Sequence, residues 1–345
     1  MERIRMHRIR RAAIAAGACL VGLTGLAAPA TAAPTPPTAF VDVSVATVWT
    51  SPGSARPIDR PALTNPVDID GWLSSMTLAQ KLDLTSGNRT QTQALYGQQV
   101  YVLAIQGDWA EVAVPGQPTP KNPLGYPGWL PRAQLDASAP AFAALRHSRP
   151  FALVDRAATV WLYDDPRLTH RDLRLSVNTR LPVLARTGPA ILVATPDAGP
   201  KWLSTQDATV YRSDQDIPYP TGAELVRFAE TFVGRPYLWA GRSGYAFDCS
   251  GFTSTIYQTH GVTIGRDSGV QAKSSGGTPV ARNDLRPGDL LFYADDNGTG
   301  SIFHVAMYAG DGRMVEAYDA ATPVRVTPVR FGTDYWGAER YLRGT

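Results

Sequence analysis

The chain has 345 residues, 44% of them hydrophobic and 18% charged, which is enough to build hydrophobic cores in two or three domains. Because residues 1–32 carry five arginines and one glutamate, their removal changes the formal net charge from +3 to −1. This balance excludes the basic surface that nucleic-acid binding requires.

The N-terminal segment has the anatomy of a secretory signal peptide: arginines, then an apolar run, then small residues and prolines. Ala30-Thr31-Ala32 fits a cleavage site, so we predict a signal peptide over residues 1–32, followed by a Pro-rich linker over residues 33–39. Cys19 would leave with the signal. A retained membrane anchor remains an alternative, because about 20 apolar residues can just span a bilayer.

Residues 40–215 consist of short β-type runs divided by turn signals, which favours an all-β region. This pattern of short strand-like runs and turns occurs twice, so we predict two β modules, residues 40–135 and 136–215. The segment Gly125–Pro131, near the end of the first module, resembles the terminal turn and strand of bacterial SH3-like domains. The predicted strands cover residues 99–104, 108–114, 159–163, 180–185 and 190–194.

The pattern changes at Thr221, where Thr221 and Glu224 have the spacing of a capping box and an apolar stripe continues to Gly234. A second helix is predicted from Cys249 to His260, with Gly261 as its C-terminal stop. Three strand-like runs follow, so residues 216–345 are predicted to form an α+β domain. These strands cover residues 289–293, 302–308 and 313–318.

Cys249 is the single cysteine that remains after signal removal, in a compartment where structural cysteines are usually paired. Its predicted place in the first turn of a helix is expected to lower the thiol pKa and produce a nucleophile. The alternative is that Cys249 is a small buried hydrophobic residue.

His304 is the candidate base, because the other four histidines lie in the signal, in the β region or at the far end of the cysteine's helix. Glu316 lies 12 positions later on the partner strand of a predicted hairpin. For both side chains to share a face, the turn around Ala309–Gly312 must be an odd loop and not a two-residue Asp-Gly turn. Such a carboxylate would fix the imidazole tautomer, whereas a solvated edge-strand glutamate is the alternative.

Four features together resemble the NlpC-type family of cell-wall cysteine peptidases over residues 218–345: Phe247–Phe252, Pro287–Leu290, His304-Val305 and the polar residue at 316. The resemblance implies a papain-like fold and hydrolysis of peptidoglycan stems between γ-linked D-glutamate and a diamino acid. It makes Cys249 the nucleophile, His304 the base and Glu316 the third member, although many family members have histidine at that last place.

The resemblance also implies that Tyr237 donates its hydroxyl to the oxyanion of the tetrahedral intermediate, together with the backbone N–H of Cys249. Trp239 and Tyr126 are further predicted substrate-binding residues. For Tyr237 and Trp239, packing between the helix and the sheet is an equally good interpretation.

A narrower resemblance is to members with two leading SH3-like domains, in which a pocket binds the free α-ammonium of an N-terminal L-alanine. It implies that Asp248, Ser250, Asp267 and Ser268 supply acceptors for that ammonium. Helix capping is the competing role for the two aspartates.

The preferred prediction is an exported γ-D-glutamyl-L-diamino-acid endopeptidase that acts on stem peptides or muropeptides, with two SH3-like barrels before a papain-like α+β domain. The alternatives are an N-acetylmuramoyl-L-alanine amidase or intact-wall remodelling hydrolase, and a catalytically inert wall-binding protein. No cofactor, no metal, no nucleic acid and, once the signal is removed, no membrane is expected as a partner. Residues 295–300, "DDNGTG", are predicted to form a turn rather than a calcium loop.

Overall fold

The computed structural model describes residues 35–197 and 199–343. The predicted signal peptide and the first two residues of the predicted linker lie outside the described residues, and the first strand begins at Thr38, before the predicted end of the linker at residue 39. In the described ranges, no helix combines the length and the apolar character that a membrane crossing needs.

The first region is a seven-stranded antiparallel sheet with the order β3-β2-β6-β5-β4-β1-β7. Gly128 sits in the sixth strand at φ 156°, and a Cβ there would meet the side chain of Val48 at 2.6 Å, so glycine allows the two strands to approach closely. The predicted runs at residues 99–104 and 108–114 are both strands. The strands are β1 (Thr38–Val41), β2 (Val45–Trp49), β3 (Thr90–Leu95), β4 (Gln99–Gln106), β5 (Trp109–Val114), β6 (Tyr126–Pro131) and β7 (Leu135–Asp136).

The prediction of an all-β region was wrong between β2 and β3, where the chain forms two helices, α1 (Ile69–Ser75) and α2 (Leu78–Ser86). Asp68 caps α1 by accepting a hydrogen bond from the backbone N–H of Gly71, 2.8 Å away. Thr77 and Gln80 form a capping box at the start of α2. Both capping patterns are visible in the sequence.

A third helix, α3 (Pro140–Ser148), connects the first region to a second seven-stranded antiparallel sheet with the order β10-β9-β13-β12-β11-β8-β14. Phe142 of this helix packs edge-on against Phe40, with ring centroids 5.0 Å apart, so the two β regions share a hydrophobic core. The strands are β8 (Phe151–Val154), β9 (Thr159–Tyr163), β10 (Arg171–Ser176), β11 (Arg180–Thr187), β12 (Ala190–Val193), β13 (Lys201–Ser204) and β14 (Ala208–Tyr211).

The C-terminal region confirms the predicted α+β organisation. Thr221 and Glu224 form the expected capping box, although the helix ends at Glu230 and not near Gly234. A short hairpin precedes a six-stranded sheet with the order β17-β22-β18-β19-β20-β21. The elements are α4 (Gly222–Glu230), β15 (Arg242–Ser243), β16 (Ala246–Phe247), α5 (Cys249–Thr259), α6 (Ser268–Ser274), β17 (Thr278–Pro279), β18 (Leu290–Ala294), α7 (Asp295–Gly298), β19 (Ile302–Gly310), β20 (Arg313–Glu316), β21 (Arg325–Pro328) and β22 (Tyr335–Arg340).

The segment α7 is one irregular turn, since Asp296 (φ 53°) and Asn297 (φ 56°) have left-handed backbone conformations. The prediction of a turn over "DDNGTG" therefore agrees with the structure.

Helix α5 packs on the six-stranded sheet through a fully buried apolar face. Phe252 and Ile256 of α5 join Phe292 of β18 and Val305 of β19 in one core cluster. The helical insertion of the first region also reaches this domain, because Trp72 of α1 belongs to a cluster with residues that flank β15 and β16. These contacts fix the start of α5 against both the sheet and the first β region.

Candidate active site

Cys249 is the first residue of α5 and is 5% exposed. Asp248 is the N-cap and accepts a hydrogen bond of 2.6 Å from the backbone N–H of Gly251. A Cβ at Gly251 would overlap the carbonyl oxygen of Gly241, so the glycine lets the helix start against this loop. The local sequence thus sets the cysteine at the N-terminal end of a buried helix.

The expectation of a lowered thiol pKa at Cys249 was wrong. Burial, helped by the charge of Asp248, raises the thiol pKa to about 12, and hydrogen bonds from the backbone of Val305 and Ser250 offset only part of this effect. The free protein therefore holds a neutral thiol, and its deprotonation depends on a base. The backbone contact places the thiol beside Val305, the residue that follows His304 on β19.

His304 is 2% exposed, and its Nε2 lies 2.8 Å from Oε2 of Glu316 on β20. The two side chains share one face of the sheet, as expected. However, the turn consists of two residues, Asp311 (φ 50°) and Gly312 (φ 68°). The expectation of an odd loop in place of a two-residue turn was therefore wrong. A β-bulge between Tyr308 and Gly310 supplies the extra residue that restores the parity.

Glu316 is fully buried, and two arginines that the sequence analysis missed hold it in place. Arg325 donates to Oε1 at 3.1 and 3.0 Å. Arg330 donates to Oε1 at 2.9 Å and to Oε2 at 3.0 Å. Burial alone would raise the Glu316 pKa, but hydrogen bonds from His304 and Arg330 bring it down to about 2, so the group is a carboxylate at neutral pH.

The same arrangement acts on the imidazole of His304. Burial lowers the pKa of His304, the carboxylate of Glu316 opposes this shift, and the charges of Arg330 and Arg325 lower the pKa further. The imidazole is therefore neutral at neutral pH, with Nε2 facing the carboxylate. Its Nδ1 is the nitrogen that remains to take a proton.

Tyr237 lies close to the thiol. It is 8% exposed and belongs to the same core cluster as Cys249. Burial raises its pKa well above the usual value, and the neighbouring Cys249 and Asp248 raise it further, so the hydroxyl keeps its proton and can donate. Trp239 is half-buried and packs between this core and that of the first β region, which is the packing role considered for it.

Asp248 and Ser250, two of the predicted ammonium acceptors, both contact a buried arginine. The buried guanidinium of Arg266 donates to both Asp248 carboxylate oxygens, at 3.1 and 2.7 Å, and to Oγ of Ser250 at 3.0 Å. Asp248 also caps α5. Asp248 therefore pairs with a buried cation and holds the start of α5, and its part in binding a substrate ammonium stays a prediction.

Asp267 lies differently, because its carboxylate is partly exposed and makes no capping hydrogen bond to α6. The hydroxyl of Tyr126, from β6 of the first β region, donates to it at 2.9 Å. Ser268, the next residue, is 8% exposed and donates to the backbone carbonyl of Ile302 at 3.3 Å, at the start of the strand that carries His304. These three residues therefore lie together at the junction of the first β region and the α+β domain.

Lys121 also occupies this junction, and the sequence analysis missed it. Its ammonium donates to the Tyr126 hydroxyl at 2.5 Å and to Oε1 of Gln91 at 2.9 Å, and it lies 3.9 Å from an oxygen of Asp267. Lys121 thus already presents a cation to the predicted ammonium acceptors. A contact between residues so distant in the chain leaves no local signal in the sequence.

Comparison with known proteins agrees with this geometry. The NlpC/P60 family model matches residues 234–342, and the YKFC SH3b2 domain model matches residues 156–211. A γ-D-glutamyl-L-lysine dipeptidyl-peptidase from Bacillus cereus is 48% identical over 88% of this chain and 91% of its own length. The chain belongs to the NlpC/P60 family.

Two further relatives support this membership. A γ-D-glutamyl-L-lysine dipeptidyl-peptidase from Bacillus subtilis is 38% identical over 79% of this chain and 88% of its own length. The crystal structure of an NlpC/P60 family protein from Bacillus cereus superposes with a TM-score of 0.84 at 49% identity, over 88% of this chain and 99% of that one. The protein is therefore a cysteine peptidase with SH3-like β domains, which confirms the predicted fold class and enzyme class.

Proposed function

We propose that this protein is an exported endopeptidase that hydrolyses the bond between γ-linked D-glutamate and an L-diamino acid in peptidoglycan stem peptides. The observation that carries the proposal is the buried His304–Glu316 pair, 2.8 Å apart, in which the strand of His304 packs against the helix of Cys249. The names of the two Bacillus relatives support this substrate class. Export through the predicted N-terminal signal peptide agrees with the cell-wall substrates of this family.

In the proposed mechanism, His304 takes the proton of the Cys249 thiol at Nδ1 while the sulfur attacks the γ-carbonyl carbon of D-glutamate. The carbonyl oxygen becomes an oxyanion, which the backbone N–H of Cys249 and the hydroxyl of Tyr237 stabilise. The imidazolium then returns its proton to the departing amine of the diamino acid, which leaves a thioester. Water, deprotonated by the same imidazole, hydrolyses the thioester and restores the thiol.

We further propose that the substrate carries a free N-terminal L-alanine, whose ammonium is accepted by Asp267 and Tyr126 with Ser268 beside them. This substrate has already lost its sugar. Asp248 and Ser250 take an indirect part, since Arg266 and the start of α5 depend on them.

One observation favours a second candidate function, the cleavage of stems whose alanine is still acylated by the wall sugar. Lys121 already directs an ammonium at Tyr126 and Asp267, so these acceptors do not need a second cation from the substrate. The two candidates share their catalytic chemistry and differ only in this pocket.

The test uses L-Ala-γ-D-Glu-diamino acid peptides with a free or an N-acetylated terminus, with products identified by mass spectrometry. The wild type should cut the free peptide after D-glutamate, and Cys249→Ala should cut neither peptide while it keeps the wild-type circular dichroism spectrum. Acetylation should reduce kcat/KM by tens- to hundreds-fold, at roughly 1–3 kcal/mol per unpaired buried group. Equal cleavage of both peptides would favour the second candidate, whereas hydrolysis by Cys249→Ala would exclude the cysteine mechanism.

A further inference from the structure

A cavity of about 380 Å³ lies where the two β regions meet the α+β domain, and it is lined by residues of all three. It is separate from the residues assigned to the catalytic site. Three arginines line it: Arg146 from α3, Arg180 from β11 and Arg242 from β15. Asp214 is the one carboxylate among the lining residues, and it pairs with Arg180.

Arg242 is the most buried of the three arginines, at 2% exposure. Its Nη2 donates to Oε1 of Gln258 at 2.7 Å, and in the described part of the chain no carboxylate lies at ion-pair distance from it. A buried cation without a counter-charge is unfavourable, because burial removes its hydration. Arg242 therefore lacks a counter-charge, and the cavity has room for a ligand that supplies one.

Buried polar atoms without a partner also concentrate at this cavity. Within the described residues, Nε of Arg242, Oδ1 of Asn178 and Oγ1 of Thr179 are buried without a hydrogen-bond partner, and all three residues line the cavity. Each of the three residues is more than nine-tenths buried. Native proteins leave few such atoms unsatisfied, so their convergence on one cavity points to a polar ligand.

The guanidinium groups are held in place around the cavity. Gln258, near the end of α5, accepts from Nδ2 of Asn178 at 2.8 Å, and its backbone carbonyl accepts from Arg180 at 3.0 Å. Arg146 donates to the backbone carbonyl of Gly97 at 2.8 Å. Arg180 and Arg242 both contact Gln258, and Arg146 also donates to the backbone carbonyl of Arg180 at 3.4 Å. The three arginines are therefore connected before any ligand binds, which is the preorganisation that binding sites use.

We propose that this three-arginine cavity is a binding site for a small oxyanion, a molecule that carries a phosphate or carboxylate group together with a hydroxyl or amide N–H. The arginines would bind the anionic oxygens through paired N–H groups. Oδ1 of Asn178 would accept from the hydroxyl or amide of the ligand. Because the ligand would contact all three domains, its binding would stabilise their arrangement without taking part in the cleavage at Cys249.

The test is isothermal titration calorimetry of the full mature chain with sodium phosphate, and separately with sodium succinate, with sodium chloride added to keep the ionic strength constant. We expect one anion per chain and a melting temperature that rises with anion concentration. Binding of phosphate alone would identify a phosphoryl ligand, and binding of succinate alone or of both would identify a carboxylate as sufficient.

The variant Arg146→Gln should weaken this binding at least tenfold, and Arg186→Gln, an exposed arginine on the same strand as Arg180, should leave it unchanged. Arg242→Gln should abolish it. If Arg242→Gln does not fold, Arg146→Gln alone decides the question. Absence of saturable binding of either anion to the wild type, or equal binding by Arg146→Gln and Arg186→Gln, would overturn the proposal.

Discussion

Two buried carboxylates flank the start of α5 and the catalytic histidine, and arginines neutralise each of them in a different way. Glu316 is held by Arg325 and Arg330, whose side chains are about one third exposed, and it offers one oxygen to His304. Asp248 is paired with Arg266, which is 2% exposed and also donates to Thr92 of the first β region at 2.9 Å.

The two carboxylate–arginine groups differ in what their charge acts on. The Glu316 group is open to water on the arginine side, so its arginines can adjust the charge that the imidazole experiences at a modest loss of stability. The Asp248–Arg266 pair is closed on all sides and connects two domains, so it holds the nucleophile's helix in position. We therefore expect variants of the first group to change the kinetics and variants of the second to change the stability.

The largest expected effect is on stability, in Arg266→Gln. This change leaves the carboxylate of Asp248 buried without its partner, which should reduce the free energy of unfolding by about 3–5 kcal/mol. Urea unfolding of the mature chain measures the difference. The double variant Asp248→Asn with Arg266→Gln should lose less than the sum of the single losses, and strict additivity would contradict the pairing.

The next effect is kinetic, in Glu316→Gln. Glutamine keeps an acceptor for Nε2 of His304 but removes the negative charge that stabilises the imidazolium, so kcat should fall by about 10- to 1000-fold. Steady-state cleavage of the free stem peptide measures it. The control is Arg313→Gln on the same strand, whose side chain is exposed and whose kcat should match the wild type. An unaffected kcat in Glu316→Gln would return Glu316 to a structural role.

A smaller effect separates the two candidate substrates, in Lys121→Met. The side chain of Lys121 is nearly half exposed, so removal of its charge should change binding by up to about 1 kcal/mol. If a free substrate ammonium competes with it for Tyr126 and Asp267, kcat/KM for the free peptide rises about two- to fivefold. A fall for the free peptide with a rise for the acetylated one would contradict the free-amine proposal.

The difference between the two carboxylates also shows what the sequence could predict. Cys249 and its helix followed from local signals, namely a capping aspartate, a helical apolar stripe and a terminal glycine. The face shared by His304 and Glu316 followed from strand parity, but the combination of a two-residue turn with a bulge did not, because it depends on how the two strands pair.

The charged partners of the buried groups could not be predicted from the sequence, for a different reason. A buried carboxylate requires cations, yet nothing local tells which of 33 basic residues will supply them. Strand register and domain docking bring three of these residues to their partners: Arg325, Arg330 and Lys121. By contrast, the capping patterns at Asp68 and Thr77 are visible in the sequence. The helices that they begin were missed because the neighbouring segments are strand-like and the whole region was predicted to be all-β.

The smallest expected effect is a shift of the pH profile in Arg330→Gln. Burial first, and then the charges of Arg330 and Arg325, lower the pKa of His304, and cleavage requires the neutral imidazole. Removing one of the positive charges therefore raises the pKa of His304, and the acidic limb of the kcat/KM profile should move to higher pH. Arg330→Lys retains the charge and should keep the wild-type limb, while Arg313→Gln controls for the loss of any arginine. A uniform fall of kcat/KM at every pH, with the limb in place, would mean that Arg330 only holds Glu316 in position and does not tune the base.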